Sequence, residues 1–279
     1  AWGHMSDDTE IFAGERKLLY AALCHIYRTG DRILTVLLHH YVLTKARIRE
    51  RMVQINRNTG FANFDRYEKR KEMFIDRYPK YAKLLKSIPV CEAMKKHGVR
   101  YVETRIAPSA HYDVLRRGLR ATRELIDANI GSGQDNCRVI YHFIRKKDTT
   151  SNSDLMPRNH SVRLEVGNQA KAMYRLLGDG CKFAGIDTAN SEIFCRPEVF
   201  AHAYRYLDVD GIRRTYHVGE DYFDLTDGLR AIDEAVFFLR MRHGDRLGHC
   251  IAIAIDPKMY YESRRYHVPV PQQVLLDNL

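Results

Sequence analysis

The stretch RTYHVGEDYF, residues 214–223, places an imidazole and a carboxylate three positions apart. Between His217 and Glu220 lie a valine and Gly219, and glycine is the residue that most readily permits a sharp backbone turn. Side chains alternate along a strand, so residues three apart point to opposite faces unless the backbone turns. The stretch therefore predicts a strand whose end turns, so that a metal ligand and a general acid reach one pocket.

Two further stretches join glycine to titratable residues. GIDTANSE contains Gly185 and Asp187, and RLGHC contains His249. Each stretch on its own has a second interpretation as an ordinary polar strand end. Because the three follow one another along the chain, each at the end of a β-rich run, they are expected to meet in one site.

The elements that must position these residues alternate along the second half of the chain. β-rich runs occupy 99–108, 137–145, 182–189, 213–220 and 245–250, with helical stretches between them. Such alternation is typical of a parallel α/β fold. Both a (β/α)8 barrel and a doubly wound sheet carry their sites at the carboxyl ends of the strands. The chain has no G-x-G-x-x-G or Walker A sequence, which disfavours a nucleotide-cofactor fold.

The domain organisation predicted from these patterns has three parts. Residues 1–5, AWGHM, are typical of a tag remnant, and 6–97 form a helical segment with apolar residues at helical spacing. Residues 98–279 form a partial barrel, since five strands are counted where closure needs eight.

Composition sets broad limits on function. The 279 residues are 45% hydrophobic and 29% charged, and no apolar run approaches the roughly 18–20 residues of a membrane span. The net charge of +10 is spread over helical stretches, which favours a solvated surface and leaves a phosphate-bearing partner or RNA open. The six cysteines include no C-x-x-C pair and are interpreted as reduced thiols of a cytoplasmic protein.

The three stretches resemble the adenosine/AMP deaminase family, a metal-dependent branch of the TIM-barrel hydrolases. That family has a G-x-D-x-x-G-x-E pattern, then H-A-G-E, then R-I-G-H-G, and VRYVETRIAPS also resembles its early strand. The resemblance covers about residues 98–255. Four positions depart from the pattern, with Asn190 and Cys250 in place of glycines, Val218 in place of alanine and Leu247 in place of isoleucine.

The resemblance implies hydrolytic deamination of adenine to hypoxanthine with Zn²⁺ as cofactor. Bound zinc lowers the pKa of its water from ~16 to near 7. His217 would be a zinc ligand, Glu220 would protonate the ring nitrogen beside the attacked carbon, and His249 would orient the water. Gly185 and Asp187 would bind the substrate, with the backbone N–H of Gly185 on another ring nitrogen.

Part of the family's metal site is missing from the sequence. The family takes an H-x-H pair from its first strand and an aspartate from an S-D-D-P run on its last, and this chain has neither. We therefore expect an internal fragment that spans barrel strands two to six, is catalytically inactive alone and holds no stoichiometric zinc. Two open sheet edges would favour a homo-oligomer.

The helical prefix and the stretches NTGFANFDRYEKRK and HVGEDYFDLTDGLRAIDE resemble large bacterial antiphage-defence deaminases, RADAR-type or CRISPR-associated. That resemblance implies adenosine, an adenine nucleotide or adenosine in RNA as substrate, and a defence-system protein as a possible partner. Two alternatives stay open. One is a degenerate, non-catalytic barrel that acts as a purine-binding or oligomerisation scaffold, and the other is a different metal hydrolase on the same barrel.

Other polar residues are interpreted as structural. Glu103 and Arg105 are predicted to form an ion pair at a strand end. The histidines without a motif around them are assigned to packing or to the surface, and they include His142, His202, His243 and His267.

Overall fold

The computed structural model describes residues 13–52, 90, 94, 97–130, 137–149 and 156–279. It divides into two compact units, Ala1–Lys71 and Glu72–Leu279. The domain boundary that the sequence predicts after residue 97 stays a prediction. Among the described residues, no helix is both long and apolar enough to cross a membrane.

The described part of the first unit consists of two helices, α1 (Ala13–Thr29) and α2 (Arg32–Met52). Gly30 separates them with a φ of +64°, a conformation that glycine adopts without steric cost. Asp31 then begins α2, since its Oδ1 accepts the N–H of Leu34 at 3.0 Å. The helical prediction is confirmed here, while RYEKRKEMFIDRY and NTGFANF lie outside the described residues.

The second unit contains a five-stranded parallel sheet. Its strands are β1 (Val102–Ile106), β2 (Cys137–Ile144), β3 (Gly185–Ala189), β4 (Arg213–Val218) and β5 (Arg246–His249). They pair in chain order, β1-β2-β3-β4-β5, and the sheet does not close. Each predicted β-rich run contains one of these strands. The α/β class is therefore confirmed, and the open, sequential sheet is that of a partial barrel.

Helices follow the strands, as the alternating pattern predicts. They are α3 (Tyr112–Ile130), α4 (His160–Gly178), α5 (Ala201–Tyr206), α6 (Leu225–Phe238), α7 (Ile251–Ala254), α8 (Pro257–Ser263) and α9 (Gln272–Asn278). Short 3₁₀ turns at Glu192–Phe194 and Pro197–Val199 lie between β3 and α5. The stretch HCIAIAID, interpreted from its sequence as a strand exit or the start of a loop, instead contains the short helix α7.

The two faces of the sheet differ in character. Tyr141, Phe143, Tyr216 and Val218 are buried in the apolar core, at 0–1% exposure. His217 lies between two of them in β4, so its side chain projects from the other face of the sheet. The core side chains thus hold β2 and β4 in place and leave the opposite face for polar groups.

Candidate active site

Three polar side chains lie on neighbouring strands of the face that carries His217. His142 in β2 is paired in register with Asp187 in β3, and Asp187 contacts His217 in β4. Each alternates with core residues on its own strand, which explains why all three share one face. The parallel register therefore gathers groups that lie tens of residues apart in the chain.

Asp187 has no exposed surface and makes three hydrogen bonds. Its Oδ1 lies 3.0 Å from Nδ1 of His217 and accepts the N–H of Thr188 at 2.8 Å, while its Oδ2 accepts Nε of Arg105 at 2.8 Å. Burial alone raises the pKa of Asp187, but these three partners outweigh burial and hold the pKa below its ordinary value. The carboxylate is therefore already engaged by protein groups.

The ion pair predicted between Glu103 and Arg105 is confirmed, with Nη2 of the arginine 3.7 Å from the carboxylate. Arg105 also binds Asp187, so it belongs to the site and not only to the strand end. Sequence reasoning missed this second contact because it depends on β1 and β3 both flanking β2.

The turn predicted after β4 is present. Gly219 has a φ of +71°, and the strand ends at the residue before it. Beyond the turn, Oε2 of Glu220 lies 3.1 Å from Nε2 of His249, and the Glu220 side chain is 12% exposed. The rings of His249 and His217 have centroids 5.2 Å apart. The structure therefore brings His217, Glu220 and His249 together, as their motifs predict, while their chemical roles stay predictions.

Gly185 is placed away from this cluster. It is the first residue of β3 and is paired in register with Arg213, the first residue of β4. Arg213 precedes His217 by four positions in β4, so these two residues lie about 13 Å apart along the strand. Gly185 is therefore beside the start of β4, whereas the cluster is at its end. A Cβ at Gly185 would lie 2.4 Å from the carbonyl oxygen of Arg213, so close strand packing explains the glycine. Its predicted contact with a purine stays a prediction.

Two of the departures from the family pattern fall at unusual backbone positions. Asn190 has a φ of 82° and Cys250 a φ of 50°, both in the left-handed region that favours glycine. Asparagine tolerates this region better than most residues. The glycines of the pattern would suit these two backbone positions, which this chain forms with asparagine and cysteine.

Two buried charged residues at the site were given no role from the sequence, although Glu192 matches the final glutamate of the family pattern in GIDTANSE. Glu192 accepts backbone N–H groups of the turn after β4, and Arg145 donates to backbone carbonyls at the ends of β3 and β4. For Arg145 the available signal was its position directly after the last residue of β2, and for Glu192 it was the match to the family pattern.

His217 fits the requirements of a zinc ligand. A histidine that binds zinc usually gives its other ring N–H to a carboxylate, and the contact between Nδ1 and Asp187 leaves Nε2 for a metal. Within the described ranges, however, no group of three or more His, Cys, Asp or Glu side chains is arranged to hold a metal ion. Asp256, which precedes Pro257, accepts the N–H of Met259 at 2.8 Å and so begins α8.

Comparison with known proteins gives a family match and several similar solved structures, including an adenine deaminase and an amidohydrolase. A sequence model of the family described as adenosine deaminase matches residues 50–271. An adenine deaminase from Arthrobacter aurescens is 20% identical, with a TM-score of 0.44, over 62% of this chain and 46% of that protein. An amidohydrolase from Burkholderia ambifaria with bound Zn is 22% identical, with a TM-score of 0.43, over 64% of this chain and 44% of that protein. No curated protein sequence matches significantly.

Proposed function

Because the chain belongs to the adenosine deaminase family, we propose that it forms part of a zinc-dependent enzyme that converts adenine to hypoxanthine by hydrolytic deamination. The substrate class is adenosine or an adenine nucleotide. The observation that carries the proposal is the cluster at the end of β4 and β5, in which His249 lies between Glu220 and His217.

In this proposal His217 offers Nε2 to the metal, and Asp187 fixes the ring by accepting from Nδ1. The chemistry that zinc supplies when bound is a water that ionises near neutral pH. Asp187 then acts through His217, and the substrate-binding role that the sequence predicts for it stays a prediction.

Glu220 and His249 would act on the substrate and the water. A protonated Glu220 delivers its proton from Oε2 to the ring nitrogen beside the attacked carbon, and Nε2 of His249 orients the attacking water. Low exposure of the Glu220 side chain supports this role, because bulk water is then kept from the proton that is transferred. Oε2 of Glu220 and Nε2 of His249 lie 3.1 Å apart, so both groups can act on neighbouring atoms of one purine.

One histidine does not make a four-coordinate zinc site. No two histidines of the 279 residues have H-x-H spacing, so we propose that the remaining ligands come from outside the described residues. If those ligands lie beyond the 279 residues, the isolated chain is inactive and the longest natural protein that contains it is the form to assay. We further propose that the enzyme is a cytoplasmic homo-oligomer that acts in antiphage defence. Its substrate would be adenosine, ATP or adenosine in RNA.

The test uses three variants of that longest natural protein, measured for zinc content and for adenine-to-hypoxanthine turnover. Glu220→Gln should keep zinc and lose about 10²–10⁴-fold in rate, because an amide delivers no proton. His217→Ala should lose zinc and activity together, and His249→Ala should keep zinc and lose rate. Glu262→Gln, at an exposed position on α8, is the matched control.

Near wild-type turnover by Glu220→Gln would contradict the acid role. If His249→Ala loses zinc while His217→Ala keeps it, the two histidine roles are reversed. A wild-type protein that binds purine nucleosides but never deaminates them would instead identify the non-catalytic scaffold.

A further inference from the structure

The turn that carries Glu220 is anchored by one buried carboxylate. Glu192 is 8% exposed and belongs to the 3₁₀ turn after β3. Its Oε2 accepts the N–H of Gly219 at 2.9 Å, and its Oε1 accepts those of Glu220 at 2.8 Å and Asp221 at 3.2 Å. Three successive backbone N–H groups thus converge on a single side chain.

A buried guanidinium holds the neighbouring carbonyl groups. Arg145 follows β2 and is 1% exposed. Its Nη1 donates to the carbonyl oxygen of Asn190 at 2.9 Å, and its Nη2 donates to that of His217. Its backbone N–H donates to the carbonyl of Ala189 at 2.9 Å, and the guanidinium lies 4.7 Å from the ring centre of Tyr216. Arg145 thus connects the ends of β2, β3 and β4.

The two charges stabilise each other at the same strand ends. Burial raises the pKa of Glu192 above its ordinary value, and the charge of Arg145 and the three N–H bonds only partly offset that effect. Keeping a carboxylate here therefore has an energetic cost, which a purely apolar contact would avoid. All three hydrogen bonds that the Glu192 carboxylate makes to the described residues end on the 219–221 backbone, so this turn is what the buried carboxylate serves.

We propose that Glu192, supported by Arg145, is a positioning residue that fixes the backbone of residues 219–221 and thereby aims the Glu220 side chain at the site. This inference rests on the proposed function for the role of Glu220, but the anchoring of the turn is independent of any activity. Without the carboxylate, three N–H groups at a strained turn lose their acceptor and the turn gains alternative conformations.

The test measures hydrogen–deuterium exchange of the 219–221 amides in the full 279-residue chain. In Glu192→Gln, the amide nitrogen cannot accept the N–H of Gly219 and the charge opposite Arg145 is lost. We expect exchange at 219–221 to rise about 10-fold, which corresponds to one lost hydrogen bond to a charged group, while exchange in α4 stays unchanged. The matched control is Glu198→Gln, a residue of the next 3₁₀ turn that is ion-paired with Arg163. This variant should leave amide exchange unchanged both at 219–221 and in α4.

If Glu192→Gln also raises amide exchange in α4, the measurement is repeated with Glu192→Asp. The aspartate keeps the charge but withdraws the carboxylate by one methylene. Wild-type exchange at 219–221 in both variants would overturn the proposal, whatever the activity. In the longest natural protein, kcat should fall about 10-fold with KM and zinc content little changed. If the Glu192 variants show raised exchange at 219–221 but keep the wild-type kcat, the proposed positioning of Glu220 is wrong. If the wild-type protein itself is inactive, only the proposed function is wrong.

Discussion

The Nδ1 atom of His217 lies 3.0 Å from Oδ1 of Asp187, a carboxylate that is fully buried on the neighbouring strand. Arg105 holds the other carboxylate oxygen, so the orientation of the imidazole is determined by residues from β1 and β3. This arrangement leaves Nε2 as the ring nitrogen for a metal ligand.

The first prediction concerns this contact. Asp187→Asn should weaken zinc binding by about 10–100-fold, because the amide no longer fixes the protonation and orientation of the His217 ring as a carboxylate does. Competition with a chelator, in the longest natural protein that contains the chain, measures the affinity. Asp233→Asn, at an exposed position of α6, is the control. Equal zinc affinity for both variants would exclude Asp187 as the support of a metal ligand.

The second prediction concerns the turn after β4. At Gly219 the φ of +71° strains any side chain, and a Cβ would lie 2.6 Å from Cδ1 of Ile232. Gly219→Ala should lower the free energy of unfolding by about 1–3 kcal/mol, and Gly219→Val by more because its branched side chain is bulkier. Denaturant titration measures the change.

A matched glycine separates position from residue type. Gly167 lies within α4 with open space around it, so Gly167→Ala should stabilise the chain by about 1 kcal/mol. In a double-mutant cycle, Gly219→Ala should destabilise an Ile232→Ala chain less than it destabilises the wild type, and the difference measures the steric part of the loss. If Gly219→Ala is as stable as the wild type, the left-handed turn is not required.

The third prediction concerns Cys250, which has a φ of 50° where the family pattern has glycine. Cys250→Gly should stay within about 1 kcal/mol of the wild type, because relief of backbone strain offsets the entropy that glycine loses on folding. Cys250→Val should destabilise the chain by about 1–2 kcal/mol, since a β-branched residue tolerates this conformation poorly. Thermal unfolding compares the variants, and a valine variant as stable as the glycine variant would contradict the argument.

The fourth prediction concerns pH. Burial lowers the pKa of His142, and nearby His217 and Arg105 lower it further, while the charge of Asp187 acts in the opposite direction. The folded state then binds fewer protons at this ring than the unfolded state, so stability rises with pH up to the ordinary histidine pKa of about 6.5. The chain should therefore lose stability as the pH falls below that value.

His142→Asn should flatten this part of the stability profile, because the variant has no imidazole to protonate. His243→Asn, at an exposed turn, is the control and should leave the slope unchanged. Free energies of unfolding at several pH values between 7 and 5 decide the matter. An unchanged slope in His142→Asn would show that this half-buried ring does not control the loss of stability.

Local patterns determined much of the architecture. The β-rich runs that contain His217 and His249 form parallel strands in chain order, because strand propensity and alternation with helices are encoded within short windows. The turn at Gly219 was also predictable, since a glycine between two polar site residues at a strand end has few other uses.

Only the tertiary structure decided which distant groups share the site. The contacts of Arg105 with Asp187, of Glu192 with the 219–221 backbone and of Arg145 with His217 join segments that lie 27 to 82 residues apart. Sequence spacing carries no information on such contacts, because they depend on strand order and register. Gly185 shows the same limit in reverse. Its motif predicts a contact of its backbone N–H with a purine, and that contact stays a prediction. Only the register shows that Gly185 also lies against Arg213, where two strands approach too closely for a side chain.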